Sequence, residues 1–357
     1  MNRSSIFRSR FVSAVALLAI VLAAAPVSFS KTPGTMSVVI DGLHSPRGLS
    51  MGPGNILYVA QAGDMDTLGS IIEIRDSMSN NATYRTILGD VPVVGDEGEF
   101  IGLGGISVLA RGKNQSIYAI MGIFPDAGGD PLFGSLLRVG FKGSVDNIAN
   151  VGEFGIAYTT AHPDPREPLP DSNPYGVLAI PGHVYVADAG GNILDEVFPD
   201  GSIQALAYFP DEIIRDAIPT CVAQGPDGAL YVGTLALVDS IVLGPSAKVW
   251  RIDPATIDPD PTQTPKTLWA QGLYPINGCT FGPDGNFYAS QLFTNDFQND
   301  PQGDVVQIPF NDPSTHNFLT GGALGYAGGV AAAPNGDIFV ADGTFGTPNG
   351  KIVRISQ

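Results

Sequence analysis

Six times along the chain a small residue opens a short apolar strand, a Pro/Gly turn follows, and a second apolar strand ends in a Tyr-Val-Ala-like triplet. The copies begin near Gly48, Gly105, Gly176, Cys221, Gly278 and Gly329, at intervals of 57, 71, 45, 57 and 51 residues. The clearest turns are Gly52-Pro53-Gly54-Asn55, Gly225-Pro226-Asp227-Gly228, Gly282-Pro283-Asp284-Gly285 and Ala333-Pro334-Asn335-Gly336. The strands after them include Leu57-Tyr58-Val59-Ala60, Leu230-Tyr231-Val232-Gly233 and Ile338-Phe339-Val340-Ala341. A period in this range, built from strands and not helices, specifies propeller blades. The expectation is an all-β, six-bladed β-propeller whose functional site lies at the mouth of the central channel.

The first thirty residues stand outside the repeat. Arg3, Arg8 and Arg10 form a basic start, Val12 to Ala25 is apolar, and Ser28-Phe29-Ser30 supplies small residues for cleavage after Ser30. This pattern reads as a signal peptide on residues 1–30, with residues 31–357 forming one propeller exported to the periplasm or beyond. The apolar run is shorter than the roughly 20 residues of a spanning helix, so no membrane span is expected after cleavage. Cleavage removes three Arg and no acid, leaving 15 basic against 35 acidic residues, about −20. Such a surface repels nucleic acid and anionic membrane and leaves a small-molecule ligand or an exported protein as partner.

Four strands make a blade. Third strands are expected at Ser70 to Arg75, Ser135 to Val139, Ile193 to Phe198, Lys248 to Ile252, Asp304 to Ile308 and Lys351 to Ile355, where alternation marks half-buried strands. The chain ends two residues after the last of these, so blade six lacks its outer strand. Ser37 to Leu43 resembles Thr267 to Leu273 of blade five, and should supply it, removing an open edge. The two cysteines, Cys221 and Cys279, open inner strands of neighbouring blades one position out of phase. That offset turns their side chains to opposite strand faces, so two buried thiols are expected in preference to a disulfide.

Inner strands run from mouth to base and second strands return, which puts the Pro-Asp-Gly turns at the base as structural turns. The longest connection, Gly152 to Tyr175, reads as a lid over one side of the mouth, and the Pro-rich Asp253 to Pro265 loop as decoration on the other face. The residue after each second-strand triplet should point into the upper channel. These are Gln61, Met121, Asp188, Thr234, Gln291 and Asp342. Their oxygens, chiefly those of Asp188, Asp342, Gln61 and Gln291, suit calcium or another divalent cation, although Asp before a Gly turn also braces loops. Asn173, Tyr175, Asp188, Asn192 and Arg47 are candidate ligand-binding residues at the same mouth, where Arg47 and His44 enter blade one in a position to hold an anionic group. No serine-hydrolase elbow, phosphate loop, zinc-protease motif or dinucleotide fingerprint occurs.

Asp171-Ser172-Asn173-Pro174-Tyr175-Gly176 followed by Val186-Ala187-Asp188-Ala189-Gly190-Gly191-Asn192 resembles the signature of the ScyD/ScyE family of exported six-bladed propellers. Ser45-Pro46-Arg47-Gly48-Leu49 and Phe133-Gly134-Ser135-Leu136-Leu137-Arg138-Val139 are similar to it as well. The family takes its name from gene clusters for scytonemin, an indole-phenol pigment, so the resemblance implies a part in secondary-metabolite processing outside the cytoplasm. Where Gln61 and Thr234 stand, the family often carries an acid. Three functions are open: a small-molecule site at the mouth, with or without a metal; a non-catalytic binding or interaction module; and a calcium-dependent lactonase-like hydrolase.

Overall fold

A computed structural model describes residues 34–357, apart from 65, 80, 97–98, 112–113, 124–129, 165, 167–168, 211 and 346–348. The signal-peptide reading of residues 1–30 lies outside the described residues. Six four-stranded antiparallel sheets follow one another around a channel, which makes the protein a six-bladed β-propeller. Blade one is Pro46–Gly52, Ile56–Gln61, Gly69–Arg75 and Thr83–Val91, from the channel outward. Blades two to five repeat this order from inner strands Leu103–Arg111, Pro174–Ile180, Pro219–Gln224 and Ile276–Phe281.

The N-terminal strand closes the ring. Thr35–Leu43 pairs antiparallel with Gly350–Ser356 as the outer strand of blade six, with Ser37 opposite Arg354 and Val38 opposite Val353. The inner strand of that blade is Ala327–Ala332 and its second strand Ile338–Asp342. The first described strand and the last thus share one blade, and Gly350–Ser356 is paired on both sides.

Glycines at the start of the repeat set the spacing of the inner strands. A Cβ on Gly48 would lie 2.6 Å from Ile106 N, one on Gly176 2.5 Å from Thr220 O, and one on Gly329 2.3 Å from Arg47 O. Neighbouring inner strands therefore touch through backbone. Serines add a link between blades, for Ser50 Oγ accepts the Val108 N–H and Ser107 Oγ the Ala179 N–H. At the base, Tyr231 and Tyr288 are buried and donate their hydroxyls to Asp227 and Asp284 of the Pro-Asp-Gly turns, which fits the structural role read for those turns.

The cysteines depart from expectation. Cys221 and Cys279 form a disulfide, S–S 2.03 Å and Cα–Cα 5.7 Å. The reason is the stacking of blades. The leading face of one sheet packs on the trailing face of the next, so a one-residue offset turns two side chains toward each other across that boundary. The offset argues against a bond only within one sheet.

Three further segments add detail that the repeat does not give. The Gly152 to Tyr175 connection opens with helix α1 (Val151–Ala161), whose first turn is capped by Asn150 accepting the Glu153 N–H. The Asn-x-x-Glu spacing is a capping signal in the sequence. A second helix, α2 (Leu237–Leu243), follows the second strand of blade four. The Asp253 to Pro265 loop lies along the outer strand of blade three, where Pro261 O accepts the Tyr208 N–H and Thr264 Oγ1 donates to Leu206 O. It satisfies backbone groups that an edge strand would otherwise present to solvent.

Candidate functional site

The channel is narrow where the inner strands begin. Arg47, Tyr175, Thr220, Asn277 and the ring glycines enclose a segment of about 60 Å³. The wider part, about 260 Å³, lies toward the base and is walled by groups such as Met51, Leu178, Gln224, Thr280 and Phe281, with no titratable side chain. Pockets that enclose small ligands usually exceed about 300 Å³, so a ligand at the mouth must rest on the rim loops above the narrow segment.

The expected ring of oxygen ligands does another job. Gln61 Oε1 accepts the His44 N–H at 2.9 Å, Gln291 Oε1 the Tyr274 N–H at 2.7 Å, and Asp342 Oδ1 the Gly325 N–H at 2.8 Å. Asp188 accepts from Asn173 N–H at 2.7 Å, Gly191 N–H at 2.9 Å and Ser172 Oγ–H at 2.6 Å. In four of the six blades, then, the residue ending the second strand ties down the loop that enters the inner strand of the same blade. Thr234 accepts from Lys248 N–H instead, and Met121 has no such acceptor. Asp342 also pairs with Lys351 Nζ at 3.1 Å.

The divalent-cation set consequently does not fit the residues as placed. Both oxygens of Asp188 receive protein donors, and those of Asp342 are shared between a backbone N–H and an ammonium group. Among the described residues no group of three or more His, Cys, Asp or Glu is gathered to hold a metal. Asp188 is fully buried, and burial pushes its carboxyl up to about 6 against the pull of its three donors. Asp195, on the third strand of blade three, is raised well above the usual carboxylate range by burial and by the neighbouring Asp188.

The ligand-binding candidates divide. Arg47 and Tyr175 come together in the channel, the guanidinium carbon 6.0 Å above the ring centroid, with Arg47 Nη2 donating to Phe100 O. Asn192 Oδ1 accepts the Ile218 N–H and so secures the link to blade four. Asn173 belongs to the Asp188 brace through its backbone, and its own Oδ1 is buried with no protein partner among the described residues.

Of the groups best placed for chemistry, His44 is expected at the mouth from its place before blade one, whereas its partner Asp64 and the aromatic residues of the rim are not marked by the repeat. His44, in the loop entering blade one, holds Asp64 of the loop leaving it, Nδ1 to Oδ2 at 2.6 Å. The His44 side chain is 35% exposed and that of Asp64 12%. Burial alone would raise Asp64, but the hydrogen bonds from His44 and from the Asp66 N–H outweigh it and hold the carboxyl below its ordinary value. A second rim feature is an aromatic wall of Phe297, Tyr326 and Phe345, with ring centroids 5.5 to 5.8 Å apart. All three rings are half-buried. Both features belong to the side of the rim where blade six closes against blade one: a Cβ on Gly328 would lie 2.9 Å from Thr344 Cβ, next to Phe345 in the chain, and 3.1 Å from Pro46 O, two residues after His44. Phe297 and Phe345 stand in the exit loops of blades five and six and Tyr326 in the loop entering blade six, positions that the repeat leaves unspecified.

Comparison with known proteins adds the fold. No protein-family model matches the chain, and no curated protein does. Solved structures do. A luciferin-regenerating enzyme is 12% identical with a TM-score of 0.57, over 91% of this chain and 95% of that one. A gluconolactonase from Xanthomonas campestris is 13% identical, TM-score 0.54, over 94% and 99%. Regucalcin from Agrobacterium tumefaciens, a calcium-binding protein, is 10% identical, TM-score 0.53, over 93% and 95%. At these identities the likeness is one of fold.

Proposed function

We propose that this protein is an exported β-propeller that takes an uncharged aromatic small molecule on the blade-six and blade-one side of its mouth. The observation carrying this reading is the half-buried wall of Phe297, Tyr326 and Phe345 on the side of the rim where blade six meets blade one. Exposed ring faces and edges attract aromatic ligands, and the acidic surface disfavours anionic ones. The resemblance of the blade-three segments to the ScyD/ScyE family supports a place in processing an aromatic secondary metabolite outside the cytoplasm. Export itself rests on the residue 1–30 pattern, and mass measurement of protein recovered from outside the cytoplasm should find Lys31 at the N-terminus.

Binding does not call for a metal. Thermal unfolding with indole, phenol and naphthol, with and without a chelator, should give a chelator-independent rise in Tm that Tyr326→Ala removes. A rise that needs calcium and survives Tyr326→Ala would move the site elsewhere. The calcium-dependent hydrolase alternative draws on the gluconolactonase and regucalcin likenesses alone, and the engaged oxygens of Asp188 and Asp342 count against it.

A further inference from the structure

Building on the aromatic site just described, we propose that His44 is a general base, oriented by Asp64, that activates water for hydrolysis of an uncharged aromatic ester. The argument starts from the hydrogen bond. Asp64 Oδ2 lies 2.6 Å from His44 Nδ1, so in neutral imidazole the proton sits on Nδ1 and Nε2 carries the lone pair. Asp64 is in turn fixed by the Asp66 N–H at 3.0 Å, and its backbone N–H donates to Thr67 O. The His44 backbone is held from the other side by Gln61. A half-exposed imidazole with one nitrogen locked by a buried carboxylate is oriented for proton transfer through the other.

The chemistry follows from what surrounds it. The hydroxyl next in the chain, Ser45 Oγ, is fully buried, so it offers no nucleophile to a ligand on the rim. The base must therefore act on water or on the ligand itself. In the hydrolytic step, water gives a proton to Nε2 while its oxygen bonds to the acyl carbon. The tetrahedral adduct then expels the aryl oxide, which takes the proton back from the imidazolium, and Asp64 stabilises that imidazolium in between. The products are a carboxylic acid and a phenol, with no redox partner required. Charged groups on the segments around His44 are Asp64 and the exposed Asp66 of the exit loop, Arg47 on the strand that His44 precedes, and the Lys351–Asp342 pair of blade six, where Gly350 lies opposite Leu43. Three of these are carboxylates, and the two cations are engaged, Arg47 with Phe100 O and Lys351 with Asp342, so an uncharged ester meets less repulsion than a ligand bearing a carboxylate.

The probe is 4-nitrophenyl acetate, with release of 4-nitrophenol followed from pH 5 to 9. The full protein should exceed the buffer rate, and kcat/KM should climb with pH along a single deprotonation. His44→Gln keeps an amide that can face Asp64, and should cut kcat by about 10²-fold or more, leaving the Tm rise with 4-nitrophenol intact. Asp64→Asn should lower kcat and displace the pH midpoint, which a merely structural tie between two loops would not do. Wild-type protein no faster than buffer, or an undiminished kcat in both variants, overturns the proposal. Should 4-nitrophenol binding persist in that case, only the catalytic inference fails. Should 4-nitrophenol give no Tm rise and Tyr326→Ala have no effect, the aromatic site fails with it.

Discussion

Single carboxylates in this propeller are decided by what already donates to them. Asp188 and Asp342 read as metal ligands while only their types and repeat positions are considered, because oxygen atoms at equivalent positions of a ring suit a hard cation. Their partners, the Asn173 and Gly325 N–H groups, become visible only when the entrance loop folds back. Removing Asp188 by Asp188→Ala leaves the Asn173 and Gly191 N–H groups and the Ser172 hydroxyl without their acceptor, and should cost about 2–4 kcal/mol in chemical denaturation. Asp195 presents the opposite case, since neither of its oxygens has a protein partner among the described residues and it is fully buried. Its folded pKa is raised, so the folded protein retains a proton that the unfolded chain has lost. That contribution to stability is complete below the unfolded value near 4 and disappears as pH rises through the folded value. Asp188, raised to about 6, adds the same sign between about pH 4 and 6. Asp195→Leu should therefore flatten the fall in Tm toward alkaline pH and stabilise the protein by roughly 1–3 kcal/mol at pH 8. A loss of stability in that variant would mean that Asp195 serves a partner.

Strands and helices were legible to different degrees. The third strands Ser135–Val139 and Asp304–Ile308 match the expected bounds, since five residues between turn signals leave a strand little room to shift. The pairing of Thr35–Leu43 with Gly350–Ser356 was readable from a missing partner and a matching segment. Deleting residues through Leu43 should leave a three-stranded blade six and lower stability by several kcal/mol. Helix α1 was hidden because its sequence, Val-Gly-Glu-Phe-Gly-Ile-Ala-Tyr-Thr-Thr-Ala, carries two glycines and no clean apolar stripe. One glycine is required by packing, for a Cβ on Gly155 would lie 2.3 Å from Asp188 Oδ2. The helix rests on the buried carboxylate, and Gly155→Leu should displace it, detectable as faster amide exchange in 151–161.

At the scale of the whole ring, the disulfide joins blade four to blade five, where Cys221 replaces the small residue that elsewhere allows inner strands to touch. Its loop spans a sequence separation of 58 residues. In the chain-entropy view it stabilises by about 4 kcal/mol, so Cys221→Ala with Cys279→Ala should lower the denaturation midpoint and free the blade boundary for thiol-independent opening. An unchanged midpoint would mean that the inner-strand contacts hold the boundary alone. The chain's own letters determined the number of blades, the closure of the last one and the base turns, because each depends on periodicity and turn chemistry that act locally. Which oxygens are free, whether two cysteines meet, and that His44 faces Asp64 on the side of the rim that carries an aromatic wall depend on how one sheet face lies against the next and where rim loops from blades six and one converge. These are distances between residues as far apart as Pro46 and Thr344, and no local pattern encodes them, so only the tertiary structure decided them.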